Sequence, residues 1–252
     1  MLTRDWLKAF LPIGVIEDGM WKPLGAGVLF VEERLLWLVT AAHVVTTADS
    51  GARHATLVGR KGGGVAVLNL TDFFKQAGIN WQVDPAYDLA LGLMPVLPDF
   101  DIRALEKGQC LRVSDVLPSF QCYTVGCPYG ARGFDPSRAA TPLVQGGVIA
   151  GVDETQMRIY ITAPTFPGNS GGPLLLVKPP YAANGSVTIG PRTVFFAGIV
   201  SDFLTARMPD GDGIHPELPP LHLGVAVAAD AVLGLMESKG ARALVEFAKK
   251  TS

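Results

Sequence analysis

Cysteine is scarce in the chain. Of 252 residues only Cys110, Cys122 and Cys127 are cysteines, and an odd number leaves no complete intrachain pairing, which argues against a disulfide framework. No motif with metal-ligand spacing accompanies them, so no zinc site is expected; Asp210 and Asp212 read as a solvated acidic turn before they read as a calcium site. An excess of charge of either sign is also missing. Lys and Arg number 21 against 23 Asp and Glu, and no basic run has the density that phosphate neutralisation requires, so nucleic acid is not an expected partner. The longest apolar stretches, such as 223–229, fall well short of the roughly 18 residues of a membrane helix. The opening MLTRDWLKAFLPIGVIEDG carries Asp5 and Lys8, where an export signal has a continuous apolar core and a small-residue cleavage site. The expectation is a soluble, cytoplasmic protein with no membrane contact and no cofactor.

Sustained helical periodicity is the remaining absence. With 29 glycines and 19 prolines, regular structure is interrupted often, while 48% apolar and 17% charged residues supply a sizeable core. What fills the chain is a series of short β-rich runs separated by turn-forming residues. Six lie at 11–16, 25–31, 34–39, 55–60, 64–70 and 89–94, and a second six at 120–127, 143–150, 157–162, 173–177, 194–200 and 223–228. Between the two series, residues 96–108 form a polar, proline-bearing connection. The expected organisation is all-β, with one unit over 1–104 and another over 105–252. The period changes only after Ala228, where 229–237 and 241–250 read as a terminal helix broken at Gly240.

The string FPGNSGGP at 166–173 holds the residues best suited to chemistry. Ser170 sits on a tight turn among three glycines. Gly168 permits a backbone conformation closed to other residues, so that its N–H and that of Ser170 converge on one point. The stretch Gly168, Asn169 and Ser170 is therefore read as an oxyanion hole beside a serine nucleophile. A serine hydroxyl needs a neighbouring base. Of four histidines, only His43, in LVTAAHVV, ends a buried strand with alanines that leave room for an imidazole. His54 and His215 sit in polar text and read as solvated, and His222 as structural or pocket-lining. Asp88, in YDLALGLM, stands at the entrance of an apolar strand, where its carboxylate can fix the histidine tautomer. Asp84, followed by Pro85, is the rival and reads as a turn residue.

Taken together, TAAH, YDLAL and GNSGGP, in the order His, Asp, Ser, make the chain resemble the trypsin-like (chymotrypsin-fold) serine peptidases, and among them the bacterial HtrA/Deg-like branch. GAGVLF at 25–30, VGCPYG at 125–130, GGVIAG at 146–151, AGIVS at 197–201 and GVAV at 224–227 extend the likeness over nearly all of the chain. The resemblance implies two six-stranded antiparallel β-barrels, a chymotrypsin-like double barrel with a short C-terminal helix. His43 and Asp88 come from the first barrel and Ser170 from the second. It also implies a polypeptide substrate and an acyl-enzyme. Where this branch adds a PDZ domain, the text here runs into a short helix, and the expectation is a peptidase domain without one. Trp6 and Phe10 are candidates either for oligomer contacts or for packing on the first barrel, which leaves the oligomeric state open.

The same resemblance places the first specificity pocket. Pro164 falls at its floor, followed by Thr165 and Phe166, with walls at Ser201, Asp202, Phe203 and Gly224. No buried carboxylate stands at the floor to receive Arg or Lys, and Phe203 occupies a place where an open pocket needs a small residue. A shallow apolar pocket for Ala, Val or Leu is expected. Asn169 stands where peptidases activated by cleavage carry an aspartate that pairs with a new N-terminus, and an amide cannot form that ion pair. Control through loop ordering, with 130–141 as the candidate loop, is the alternative. An extra hairpin arm over 178–193 and a proline-rich loop over 204–220 have no role legible in their residues. Cys127 is expected to be buried. A catalytically silent peptide-binding module on the same fold is the competing reading, and ester hydrolysis by the same residues a third.

Overall fold

Strands whose side chains alternate between two apolar environments need cover on both faces, and β-strand 89–94 shows how this chain provides it. Leu89, Leu91 and Leu93 join one buried cluster while Ala90 and Met94 join another, so the whole strand is buried. The computed structural model describes residues 4–32, 34–46, 52–95, 98–127, 142–178, 193–205 and 220–251. The expected loop at 130–141, nearly all of the hairpin arm at 178–193, most of the 204–220 loop, His215, Asp210 and Asp212 lie outside the described residues.

The first unit opens with a single helical turn, α1 (Arg4–Leu7), and continues with β1 (Phe10–Glu17), β2 (Met20–Glu32), β3 (Leu35–Ala41), α2 (Ala42–Thr46), β4 (Arg53–Gly59), β5 (Val65–Asn69), α3 (Leu70–Ala77), β6 (Gln82–Asp84) and β7 (Leu89–Met94). Its strands form a seven-stranded antiparallel sheet in the order β5-β4-β1-β2-β3-β7-β6. The second unit holds β8 (Gln121–Gly126), β9 (Leu143–Asp153), β10 (Arg158–Ile161), β11 (Pro173–Val177), β12 (Val194–Thr205) and β13 (Pro220–Ala228). These six strands close into a barrel, β10-β13-β12-β11-β8-β9. The mostly β, chymotrypsin-like architecture is thus as the sequence indicated, with one difference. The first unit has seven strands rather than six, and β5 and β6 remain edges of an open sheet.

Two local features account for that difference. Residues after Asn69 turn into α3 because Asn69 Oδ1 accepts the N–H of Asp72 at 2.9 Å, a side-chain cap of the kind that starts helices. The helix packs Leu70 and Phe74 inward, and Phe74 meets Trp81 edge-on with ring centroids 5.0 Å apart. The chain then returns as the three-residue strand β6, too short to be read from alternation.

Three apolar clusters hold the molecule together. One fills the first sheet with residues such as Ile13, Leu29 and Leu38. Another fills the barrel with Ile149, Ile159, Ile161 and Leu174. The third lies between the units, where Phe30 meets Phe196 edge-on at 5.0 Å. The chain crosses from one unit to the other over a short span. Leu105 still pairs with Phe30 of the first sheet, whereas Cys110 pairs with Phe196 of the barrel. After β13, α4 (Ala229–Met236) and α5 (Lys239–Thr251) form two helices, with the break at 237–238 rather than at Gly240. Val232 of α4 enters the cluster between the units. No helix among the described residues is long and apolar enough to cross a membrane.

Candidate active site

The ladder between β3 and β7 ends at the pair Ala41 and Leu89, and both chains turn there. Asp88, immediately before β7, adopts a left-handed conformation with φ 54°, which an aspartate tolerates better than most residues. Its carbonyl accepts the N–H of Ala42 at 2.8 Å. Its carboxylate divides its two oxygens. Oδ1 accepts the backbone N–H of His43 at 2.9 Å, and Oδ2 lies 2.7 Å from His43 Nδ1. The first N–H groups of a helix have no intrahelical acceptor; here Asp88 supplies one to α2 and grips the imidazole with the same carboxylate. An ionised Asp88 takes the Nδ1 proton as a donated hydrogen bond, which leaves the lone pair on Nε2. The rival Asp84 lies on β6, where its Oδ1 accepts the N–H of Ala86 at 3.0 Å, a turn role.

The hydrogen bond to Asp88 raises the pKa of His43 above the ordinary 6.5; burial opposes that rise, and the charges of Asp88 and Asp202 add to it. The two side chains of the pair are 40% and 37% exposed, so the pair faces a solvent-filled space and its charge is partly screened. His54 contrasts with it and differs from expectation. It is buried on β4 rather than solvated, its Nε2 has no partner among the described residues, and burial lowers its pKa.

Ser170 rides on the turn between β10 and β11. The turn is drawn by backbone bonds, from the N–H of Asn169 to the carbonyl of Phe166 at 2.9 Å and from the N–H of Gly172 to the carbonyl of Asn169 at 2.9 Å. It is anchored on both sides. Gly171 donates to the carbonyl of Val200 at 2.7 Å in the barrel, and Ala26 of the first sheet donates to the carbonyl of Ser170 at 2.8 Å. Gly168 has φ 99° and Gly171 φ 85°, both in territory that favours glycine. A Cβ on Gly171 would also collide with the carbonyl of Ala26 and the hydroxyl of Thr40. Among the described residues, the N–H groups of Gly168 and Ser170 have no hydrogen-bond acceptor. The hydroxyl of Ser170 donates to the carbonyl of Ser201 over a long 3.4 Å.

His43, Asp88 and Ser170 all line one cleft of about 650 Å³. Gly168, Thr165, Phe166, Ser201 and Asp202 line it with them. Three residues depart from the expected positions, and the side chain of a fourth is not described. The N–H of Asn169 is already donated to Phe166, and the residue is 1% exposed, so it is not available as an oxyanion donor. Pro164 is exposed and not among the cleft-lining residues. Gly224 lies behind the wall, where a Cβ would meet the side chain of Thr165. Phe203 pairs with Gly224 through β12 and β13, and its side chain lies outside the described residues. Leu24, Arg158, Pro167 and Val200 complete the lining, and sequence reasoning singles out none of them. Arg158 is placed by strand register alone. It stands opposite Val227, a member of the cluster between the units, and side chains directly opposite on adjacent strands share a face.

The three cysteines are free thiols. Cys127 is fully buried, and desolvation pushes all three up to about 12, which keeps them protonated and unreactive near neutral pH. Among the described residues no group of three or more His, Cys, Asp or Glu side chains is placed to hold a metal ion.

Comparison with known proteins accords with this geometry. No curated protein sequence matches the chain. Among solved structures, an HtrA-type protease, a variant of AlgW with a tripeptide, superimposes with a TM-score of 0.53 at 19% identity. The match covers 93% of this chain and 61% of that one, so the chain spans about three-fifths of that structure's length, and at this identity the likeness shows the fold. The family profile of the trypsin-like peptidase domain matches residues 25–178, a span that takes in the histidine strand, the aspartate turn and the serine turn alike. The chain belongs to the trypsin-like peptidase domain family.

Proposed function

We propose that the protein is a serine endopeptidase in which Ser170 is the nucleophile, His43 the general base and Asp88 the group that orients it. The observation that carries this reading is the double grip of Asp88 on the backbone and ring of His43, at 2.9 and 2.7 Å. It holds a basic nitrogen toward the cleft that Ser170 also lines. In acylation, Ser170 Oγ bonds to the scissile carbonyl carbon while its proton passes to His43 Nε2. The carbonyl oxygen takes the negative charge and lies between the N–H groups of Gly168 and Ser170. Collapse breaks the C–N bond, and the imidazolium returns its proton to the leaving amine. Water, deprotonated by His43, then hydrolyses the ester and frees Ser170.

The substrate is a polypeptide lying extended against Ser201–Phe203 at the cleft edge, a β-strand addition. Leu24 and Val200 line the cleft and favour small or medium aliphatic residues before the cleaved bond. A fluorophosphonate probe tests the nucleophile directly. The wild-type chain is expected to label and Ser170→Ala not to label. Equal labelling of both, or none of the wild type, overturns the reading, and the second outcome favours a silent peptide-binding module. Library profiling that found cleavage after Arg or Lys would overturn the proposed preference.

A further inference from the structure

Asn169 sits between two cleft-lining residues yet is itself 1% exposed. Its amide is buried away from the cleft, toward the wall of the barrel. There Nδ2 donates to Oε1 of Gln145, on β9, at 2.7 Å. Oδ1 has no donor among the described residues and lies flat against Gly126, where a Cβ would come within 2.5 Å of it. The Gln145 bond is thus the one polar tie of a buried amide among those residues. A buried amide stripped of its last partner tends to move toward water rather than stay in place.

The backbone of the same residue shapes the serine turn. Its N–H and carbonyl make the two turn-forming bonds to Phe166 and Gly172. The N–H groups of Gly168 and Ser170 flank it on either side. Any rotation of Asn169 that carried its side chain out of the barrel wall would turn the adjacent peptide planes and swing those two donors apart. Gln145 stands far from Ser170 in sequence, opposite Thr124 in the ladder between β8 and β9. The hydrogen bond therefore ties the turn to a strand with which it shares no ladder.

We propose that Gln145 is a positioning residue. By clasping the Asn169 side chain it holds the Gly168 and Ser170 N–H groups convergent on the cleft. The inference rests on the peptidase reading above and adds to it the device that keeps the oxyanion hole formed. Both partners are neutral amides, so the clasp does not titrate. Losing it lowers the rate at every pH and leaves the pH at which His43 gains its proton where it was.

The test uses the fluorophosphonate probe, whose phosphoryl oxygen occupies the oxyanion position as Ser170 Oγ bonds to phosphorus and fluoride leaves. The inactivation rate constant and the probe affinity are measured separately for wild type, Gln145→Leu and Gln145→Glu, together with the melting temperature. Gln145→Leu removes the acceptor at similar volume, whereas Gln145→Glu keeps an acceptor for Asn169 Nδ2. The leucine variant is expected to inactivate at least tenfold more slowly, up to the ~10²–10³-fold that losing an oxyanion donor costs, with affinity within about threefold. The glutamate variant is expected to recover most of the rate. A leucine variant as fast as wild type, or a glutamate variant as slow as a folded leucine variant, overturns the clasp alone. If Gln145→Leu fails to fold, Gln145→Glu decides: near-wild-type inactivation supports the clasp, and a folded but slow protein overturns it. A wild-type chain that never labels overturns the peptidase reading and the clasp with it.

Discussion

The two halves of the molecule reach the same cleft by different means. The open sheet contributes side chains. Asp88 and His43 are joined by hydrogen bonds between functional groups, on a turn where β3 and β7 part. The closed barrel contributes one hydroxyl, that of Ser170, and around it backbone. Gly168 and Ser170 line the cleft, their N–H groups have no acceptor among the described residues, and the turn carrying them is drawn by backbone bonds and braced from both units. A single side-chain replacement can therefore disable the first half without moving the chain. In the second half the Ser170 hydroxyl can be removed in the same way, but the N–H groups beside it yield only to changes that alter the path of the backbone.

Asp88→Asn breaks that contrast most sharply. The amide keeps the shape but presents either a donor or a neutral acceptor to Nδ1, so the imidazole loses its fixed tautomer and its counter-charge. Turnover is expected to fall by ~10⁴-fold, the scale seen when a buried triad aspartate elsewhere is made an amide, with little change in KM. Because the Asp88 carbonyl still accepts from Ala42, the fold should persist, and circular dichroism checks this. A loss below tenfold would mean that the orienting group lies elsewhere.

The catalytic strings of both halves are legible in the sequence. TAAH and YDLAL carry their meaning locally, because a strand end and a turn are local events, and the structure brings both to the cleft. GNSGGP is legible for the same reason, since its glycines announce a backbone path. The walls of the cleft are not. Leu24 and Arg158 belong to β2 and β10, strands far apart in sequence, and only the register between strands shows which side chains face inward. The helix α3 escapes a reading by alternation although Asn69 and Gly78 bracket it as caps, because the apolar pattern of β5 runs on into Leu70. The openness of the first sheet escapes it too, because closure depends on which edges pair, a long-range outcome that alternation leaves undetermined. Asn169 shows the limit most clearly. Its position suggests an oxyanion role, but the direction of its N–H is fixed by Phe166.

Gly168→Ala probes the backbone half. With φ at 99°, an alanine forces the peptide toward ordinary territory and turns the donor away from the cleft. Turnover should drop by ~10²–10³-fold, and the melting temperature should drop with it, unlike in Asp88→Asn. Steady-state kinetics and thermal denaturation separate the two cases. A variant that loses stability but keeps its turnover would show that the Gly168 N–H is not needed.

The smallest expected effect comes from charge. The base proposed at His43 acts only when neutral, and the pKa of this imidazole is raised above the ordinary 6.5 by Asp88 foremost, with Asp202 adding a weaker Coulombic pull. The acidic limb of activity should accordingly lie above pH 6.5, rising as the imidazolium loses its proton. The stability that the charged pair adds runs the other way. It is fully present below the ordinary pKa of an unfolded histidine and is lost as pH rises through the higher folded value. At 40% exposure that share is small, and the enzyme gains activity over the same range in which this pair stops stabilising the fold. Asp202→Asn should move the limb toward lower pH by a few tenths of a unit, the scale of a screened charge at an exposed site. Added salt should move the wild type in the same direction and the variant less. A limb that rises in the variant, or that salt moves equally in both, would show that Asp202 does not act on His43 through space and would leave Asp88, among the described residues, as the carboxylate setting its protonation.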